Sequence, residues 1–168
     1  DSFFTVALGL GGDWSIGGLD APDYIAPAAC VYSGSLKKDI SAIRHNQELS
    51  DYISPEAHTL TIDTSGTHHF HGSLLGPLTI IKKGSGTQSF SGNTGEDCHF
   101  QALGGTLNLN GDTRAASITI QTSTLTNTGE LTTAALSMQN GSLSVTGTLN
   151  ATAGDFHGCS TMSTAAIH

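Results

Sequence analysis

The sequence predicts an all-β chain: a right-handed parallel β-helix whose coils take about 18–20 residues, closed at its N-terminal end by a cap that contains a short helix. Three observations predict it. A six-residue motif recurs as THHFHG (67–72), TQSFSG (87–92), TLNLNG (106–111), TLTNTG (124–129) and SLSVTG (142–147), and the closing glycines Gly72, Gly92, Gly111, Gly129 and Gly147 follow one another at steps of 20, 19, 18 and 18. That period is too short for two helices and their turns, but it fits one coil of short strands. Inside each motif side chains alternate with the period of two that a strand imposes. Finally, charged residues make up 12% of the chain, about half the usual quarter, while 22 Thr, 19 Ser and 21 Gly favour strands and turns.

Residues 1–56 depart from the repeat and read as the cap. Phe4, Val6, Leu8 and Leu10 alternate as a strand, Gly-rich turns flank Trp14 and Ile16, and Pro22, Pro27 and Pro55 interrupt regular structure. Between them, Ser35 to Ile53 places Leu36, Ile40 and Ile43 at helical spacing, with Ser35 in position to cap the start and Pro55 just past the end. Such a cover is needed because a solenoid end exposes strand backbone and raw apolar columns.

Residues 57–168 read as the coils. In the motif strands the inward pairs are His68 and Phe70, Gln88 and Phe90, Leu107 and Leu109, Leu125 and Asn127, and Leu143 and Val145. Half a coil away a second set recurs: Leu60 and Ile62, Leu78 and Ile80, Cys98 and Phe100, Ile118 and Ile120, Leu136 and Met138. Stacking at about 4.8 Å turns each position into a continuous column. The glycine closing each motif is expected to turn the corner with a positive φ angle. A left-handed hexapeptide helix shares the shorter of these periods, but Thr113, Thr119 and Ser137 break its apolar sixth position, and strict hexads do not drift to 19 and 20. The C-terminal end near His168 shows no cap, so the expectation is that further coils follow in a longer protein.

Composition excludes several function classes. With 14 acidic against 6 basic residues the net charge is -8, and after Lys83 only Arg114 is positive, so no basic patch awaits nucleic acid. No apolar run is long enough for a membrane-spanning helix, and Phe3–Leu10, which follows Asp1 rather than a basic segment, is no intact signal peptide. A processed secreted chain or a fragment fits this start. Cys30, Cys98 and Cys159 lack CxxC spacing; in a secreted protein they allow one disulfide and leave one thiol, with the pairing open. The Gly runs near residues 9–12 and 17–18 lack the Gly-Lys-Ser/Thr of a phosphate loop and read as turns.

The stretch LTIIKKGSGTQSFSGNTGEDCHFQALGGTLNLNG, residues 78–111, resembles the passenger-associated strand repeat of bacterial autotransporters. Lys83, Gly84, Gly86, Thr87, Phe90, Ser91, Gly92, Asn93, Gly104, Gly105, Thr106 and Leu107 occupy the matching places, while Thr94 and Gly95 stand where that pattern has a Tyr. The specific match is confined to this stretch and does not extend to the cap. The resemblance implies a secreted or surface-displayed passenger on the outer side of the outer membrane, in which the repeat is structural and activity resides in appended domains.

Candidate chemistry is sparse. Neither Gly-Asp-Ser-Gly nor Gly-Thr-Ser-Met is present to set a serine nucleophile. Alternation puts His69 and His71 on the outer face, where two imidazoles could share a metal ion, but a zinc site needs three or four ligands and no column supplies the rest. His157 and Cys159 lie two apart on one face without further partners. Asp112 and Glu130, 18 apart, are the acids that repeat at the coil period, and on neighbouring coils they suit a retaining glycosidase pair. Asp63, Asp97 and Asp155 share no column, and after Phe100 Phe156 is the sole aromatic residue, a poor platform for sugars. The expectation is therefore a non-enzymatic stalk or binding surface without metal or cofactor, used in adhesion, self-association or virulence. Its partners would be a host-cell or neighbouring-cell surface protein or glycan, or a second copy. The alternatives are a polysaccharide-cleaving β-helix enzyme and a spacer beside a protease or toxin domain.

Overall fold

The computed structural model describes residues 6–10, 12–20, 29–36, 53–158 and 160–168, and these contain strands and turns with no helix. The chain winds as a parallel β-solenoid of six coils, each laying down up to three short strands on three faces. In the first coil these are β5 (His58–Asp63), β6 (Thr67–Phe70) and β7 (Ser73–Leu75). The second has β8 (Leu78–Lys83) and β9 (Thr87–Phe90), with Thr94 alone bridging to Leu74 on the third face. The third has β10 (His99–Ala102) and β11 (Thr106–Leu109). From there β12 (Thr113–Gln121), β14 (Leu131–Gln139) and β15 (Ser142–His157) run on around the corner between the third and first faces, β13 (Thr124–Asn127) lies on the second face, and β16 (Thr161–Ile167) stacks on the start of β15 and runs from the second face onto the third.

The cap continues this stacking. Strand β2 (Trp14–Ile16) pairs in parallel with β5 at the foot of the first face, and β3 (Ala29–Leu36) pairs in parallel with β7 at the foot of the third. Beneath it β1 (Val6–Leu10) pairs with β3, and β4 (Ile53–Pro55) joins β3 antiparallel. Ser35, Leu36 and Ile53, at the ends of the expected helix, therefore lie in strands, because Ser35 pairs with Ser54 and Leu36 with Ile53. The helix itself falls on 37–52, outside the described residues.

Every apolar residue assigned inward by alternation is buried, from Leu60 and Ile62 to Leu143 and Val145. On the second face the register stacks His68, Gln88, Leu107, Leu125 and Leu143 in one column and Phe70, Phe90, Leu109, Asn127 and Val145 in the next. Phe70 meets Phe90 edge-on at 6.1 Å between ring centroids, and Phe90 meets Phe100 at 6.5 Å, so aromatic contacts tie the two faces together low in the rod. On the first face the early coils are longer than the later ones: Leu60 pairs with Ile80 and Ile62 with Lys82, whereas Ile118 pairs with Leu136. An even offset of this kind leaves the inward side unchanged but decides which side chains share a column.

The corners correct one expectation. Of the motif glycines, Gly111 has a positive φ, 95°, but Gly92, Gly129 and Gly147 do not. Those three are glycine because the corner backbone stacks directly coil on coil: a Cβ on Gly92 would collide with the Gly72 carbonyl, and one on Gly147 would stand 2.6 Å from the Gly129 oxygen. Positive φ angles cluster at another corner, after every first-face strand from β8 onward, on Gly84, Gly105, Thr122, Asn140 and Gly158.

Candidate binding surface

Outward side chains on the second face bond to one another along the rod. Asn108 donates from Nδ2 to Ser89 Oγ at 3.1 Å, and Thr126 donates from Oγ1 to Asn108 Oδ1 at 2.7 Å, so three successive coils share one polar chain. Beside it Asn110 donates to Ser91 Oγ at 3.1 Å, and on the first face His99 Nδ1 lies 2.7 Å from Ser117 Oγ. Parallel pairing causes this, since equivalent residues stand directly above one another at about 4.8 Å, within reach of short hydroxyl and amide groups. The result is a face of half-buried, mutually oriented donors and acceptors above Ser89, which is itself buried.

Where the third face turns into the first, small side chains leave a shallow groove. One part, about 470 Å³, is lined by Glu96, Asp97, Arg114, Ala115, Ala116, Ala134 and Thr152 with Thr132 and Thr133. A second part of about 280 Å³ shares both of those threonines and Thr152, and continues along Asn150 and Ala151 to His168. Arg114 donates to Glu96 at 2.7 Å across its lower end. Both side chains are largely exposed, so the pair adds little stability and serves as a polar feature of the groove.

Asp112 and Glu130 stack on neighbouring coils as their spacing predicted, but their carboxylates are tied to the wall. Asp112 Oδ1 accepts the Glu130 backbone N–H at 2.9 Å, while Glu130 Oε1 accepts from Thr132 Oγ1 at 3.1 Å and Asn150 Nδ2 at 2.6 Å. The histidines separate. His68 turns partly inward and its Nδ1 lies 2.7 Å from Asp20 Oδ2; the other Asp20 oxygen accepts the His69 N–H at 2.8 Å. Desolvation acts to raise the Asp20 pKa, but the hydrogen bonds from His68 and His69 and the field of both rings outweigh it and hold it below the ordinary value. His69 and His71 stack outward with centroids 6.3 Å apart. Among the described residues no three His, Cys, Asp or Glu side chains converge as a metal site. His157 pairs with Asp155 at 2.9 Å, and Cys159 lies outside the described residues.

Three buried polar groups bear on the wall. Gln88, which alternation placed inward, clamps the cap by accepting the Leu19 N–H at 3.0 Å and donating to the Leu19 carbonyl at 2.9 Å. Asn127 donates to the Leu109 and Gly111 carbonyls and to Thr113 Oγ1, and accepts the Gly129 N–H, bracing one corner from within. Lys82 is fully buried between Ile62 and Ala102 in its column, and its Nζ donates to the carbonyls of Lys83, Gly84 and Gly104 at 2.6, 3.1 and 3.2 Å. Burial pushes its pKa down, and the charge of Asp63 opposes that. Sequence reasoning missed Lys82, although its parity with Leu78 and Ile80 marks it as inward. Cys98 is a buried free thiol whose pKa burial raises to about 11, which makes it unreactive at neutral pH.

Compared with known proteins, the chain matches no family model, and no curated protein or solved structure shows significant similarity to it.

Proposed function

We propose that the chain is a rigid stalk whose polar faces serve as a binding surface, in a secreted or surface-displayed protein of the autotransporter type. The observation that carries the reading is the Asn108–Thr126 pair, two half-buried outward groups held in place along the axis by each other and by the buried Ser89 below them. Such groups lose little further freedom on meeting a partner, which favours recognition of an extended surface protein or glycan. The tie of Asp112 and Glu130 to neighbouring N–H, hydroxyl and amide donors is consistent with a wall-building role for the two acids. Export and display rest on the resemblance of residues 78–111 to the passenger strand repeat.

The test is attachment of the purified chain to cells, extracellular matrix and immobilised glycans. Asn108→Arg and Thr126→Arg should abolish attachment while the circular dichroism melt stays within a few degrees of the parent. Attachment that survives both changes overturns the role of this face. Turnover of an extracellular polysaccharide that disappears in Asp112→Asn and Glu130→Gln would replace the reading with an enzymatic one.

A further inference from the structure

Above Ser89 the outward side chains of the second face form a regular grid of small neutral groups. Thr106, Thr124, Ser142 and Thr161 stand in one column, and Asn108, Thr126, Ser144 and Ser163 in the next, in unbroken register from coil to coil. Neighbours are about 4.8 Å apart along the rod and about 6.6 Å apart along each strand, two residues on. In the Asn108 column Thr126 and Asn108 fix each other, whereas the half-buried hydroxyls of Thr106, Thr124, Ser142 and Ser144 make no hydrogen bond to the described residues and are left to solvent. Neither column holds a charged or aromatic residue, although the chain carries 14 acidic and 6 basic side chains. The other faces differ: on the first Asp63 pairs with Lys83 and Ser137 with Asp155, and on the third Arg114 pairs with Thr132.

We propose that this grid binds ice. A face that repeats the same contact at every coil offers a discrete ligand no unique position, and it suits a partner that is itself periodic. Charge complementarity selects a neutral one, because a charged polymer or mineral would find no counter-charge in either column. Crystalline polysaccharide is also neutral and periodic, but covering its sugar rings calls for aromatic side chains, which the grid lacks. Ice fits both conditions: its prism faces present rows of water oxygens whose two repeats lie close to those of the grid. Stacked neighbours and β-branching restrict the threonine rotamers, so the water they hold is placed in advance and joins the lattice with little further loss of freedom. Each contact is weak, but the columns make many at once, and a chain held in this way stops the crystal front from advancing past it. The proposal rests on the reading of this face as a binding surface and adds a partner to it; it requires neither export nor display.

The test is the growth of a single ice crystal in a solution of the purified 168-residue chain, with melting and freezing points read on the same crystal. The expected result is a faceted crystal that freezes below its melting point. Thr124→Tyr and Ser142→Tyr each raise a ring above the grid and should abolish both effects. Neither hydroxyl is bonded within the fold, so the thermal melt should be unchanged. Thr119→Tyr, outward on the first face, should keep both effects. Rounded crystals with coincident melting and freezing points overturn the proposal, as does ice shaping that survives both second-face substitutions. Adsorption to powdered cellulose or chitin that Thr124→Tyr removes, with no effect on ice, overturns it in favour of a polysaccharide. Attachment to cells through Asn108 and Thr126 with no effect on ice also overturns it but leaves the binding surface intact, so the two readings fail separately.

Discussion

Lys82 carries a positive charge into the centre of an apolar column, and the reason lies at the corner it reaches. Three stacked carbonyls, those of Lys83, Gly84 and Gly104, converge there, and the ammonium supplies all three with a donor. Lys82→Met keeps most of the stem volume but leaves those oxygens without it, and should cost about 1–3 kcal/mol, read as a lower urea midpoint at unchanged slope. Asp20 gives a pH-dependent counterpart. Its folded pKa lies below the ordinary 3.8, so the stability it contributes is present above that value and is lost as the pH falls through the folded pKa. The gap in melting temperature between the parent and Asp20→Asn should therefore be small but steady near neutrality and close below pH 3.8. A gap that widens in acid would mean that the His68 contact does not hold the cap.

At the level of strands and corners, parity was legible on both faces and register on the second, where the aligned motif gives the observed columns, but not on the first, where Leu60 pairs with Ile80 and Phe100 with Ile118. Side-chain direction depends only on odd and even positions, so Phe70, Gln88, Phe90 and Asn127 could be assigned inward from the motif alone. The column partners depend on how many residues each corner consumes. That number comes from backbone packing at Gly84–Gly86 and Gly104–Gly105, which no side-chain pattern displays. The same packing explains why Gly92, Gly129 and Gly147 serve close approach rather than a positive φ. It predicts that Gly92→Ala, whose Cβ meets the Gly72 carbonyl, costs about 3 kcal/mol, whereas Gly95→Ala, with its nearest neighbour 3.8 Å away, is tolerated. Equal melting temperatures for the two variants would contradict the corner stacking.

For the molecule as a whole, the solenoid was legible because one motif recurs at nearly constant spacing, and a rod has no other way to bury it. The groove was not, since it arises where Ala115, Ala116 and Ala134 happen to meet at one corner, and neither was the Asp20–His68 contact, which joins residues 48 apart. Every functional reading depends on the vertical stacking of equivalent residues. The most direct measurement is solution NMR of the chain, by cross-relaxation between backbone protons of Asn108, Thr126 and Ser144. Parallel coils predict contacts from Asn108 to Thr126 and from Thr126 to Ser144, with none from Asn108 to Ser144. Strands of this region pairing antiparallel, with these residues apart, would contradict the account.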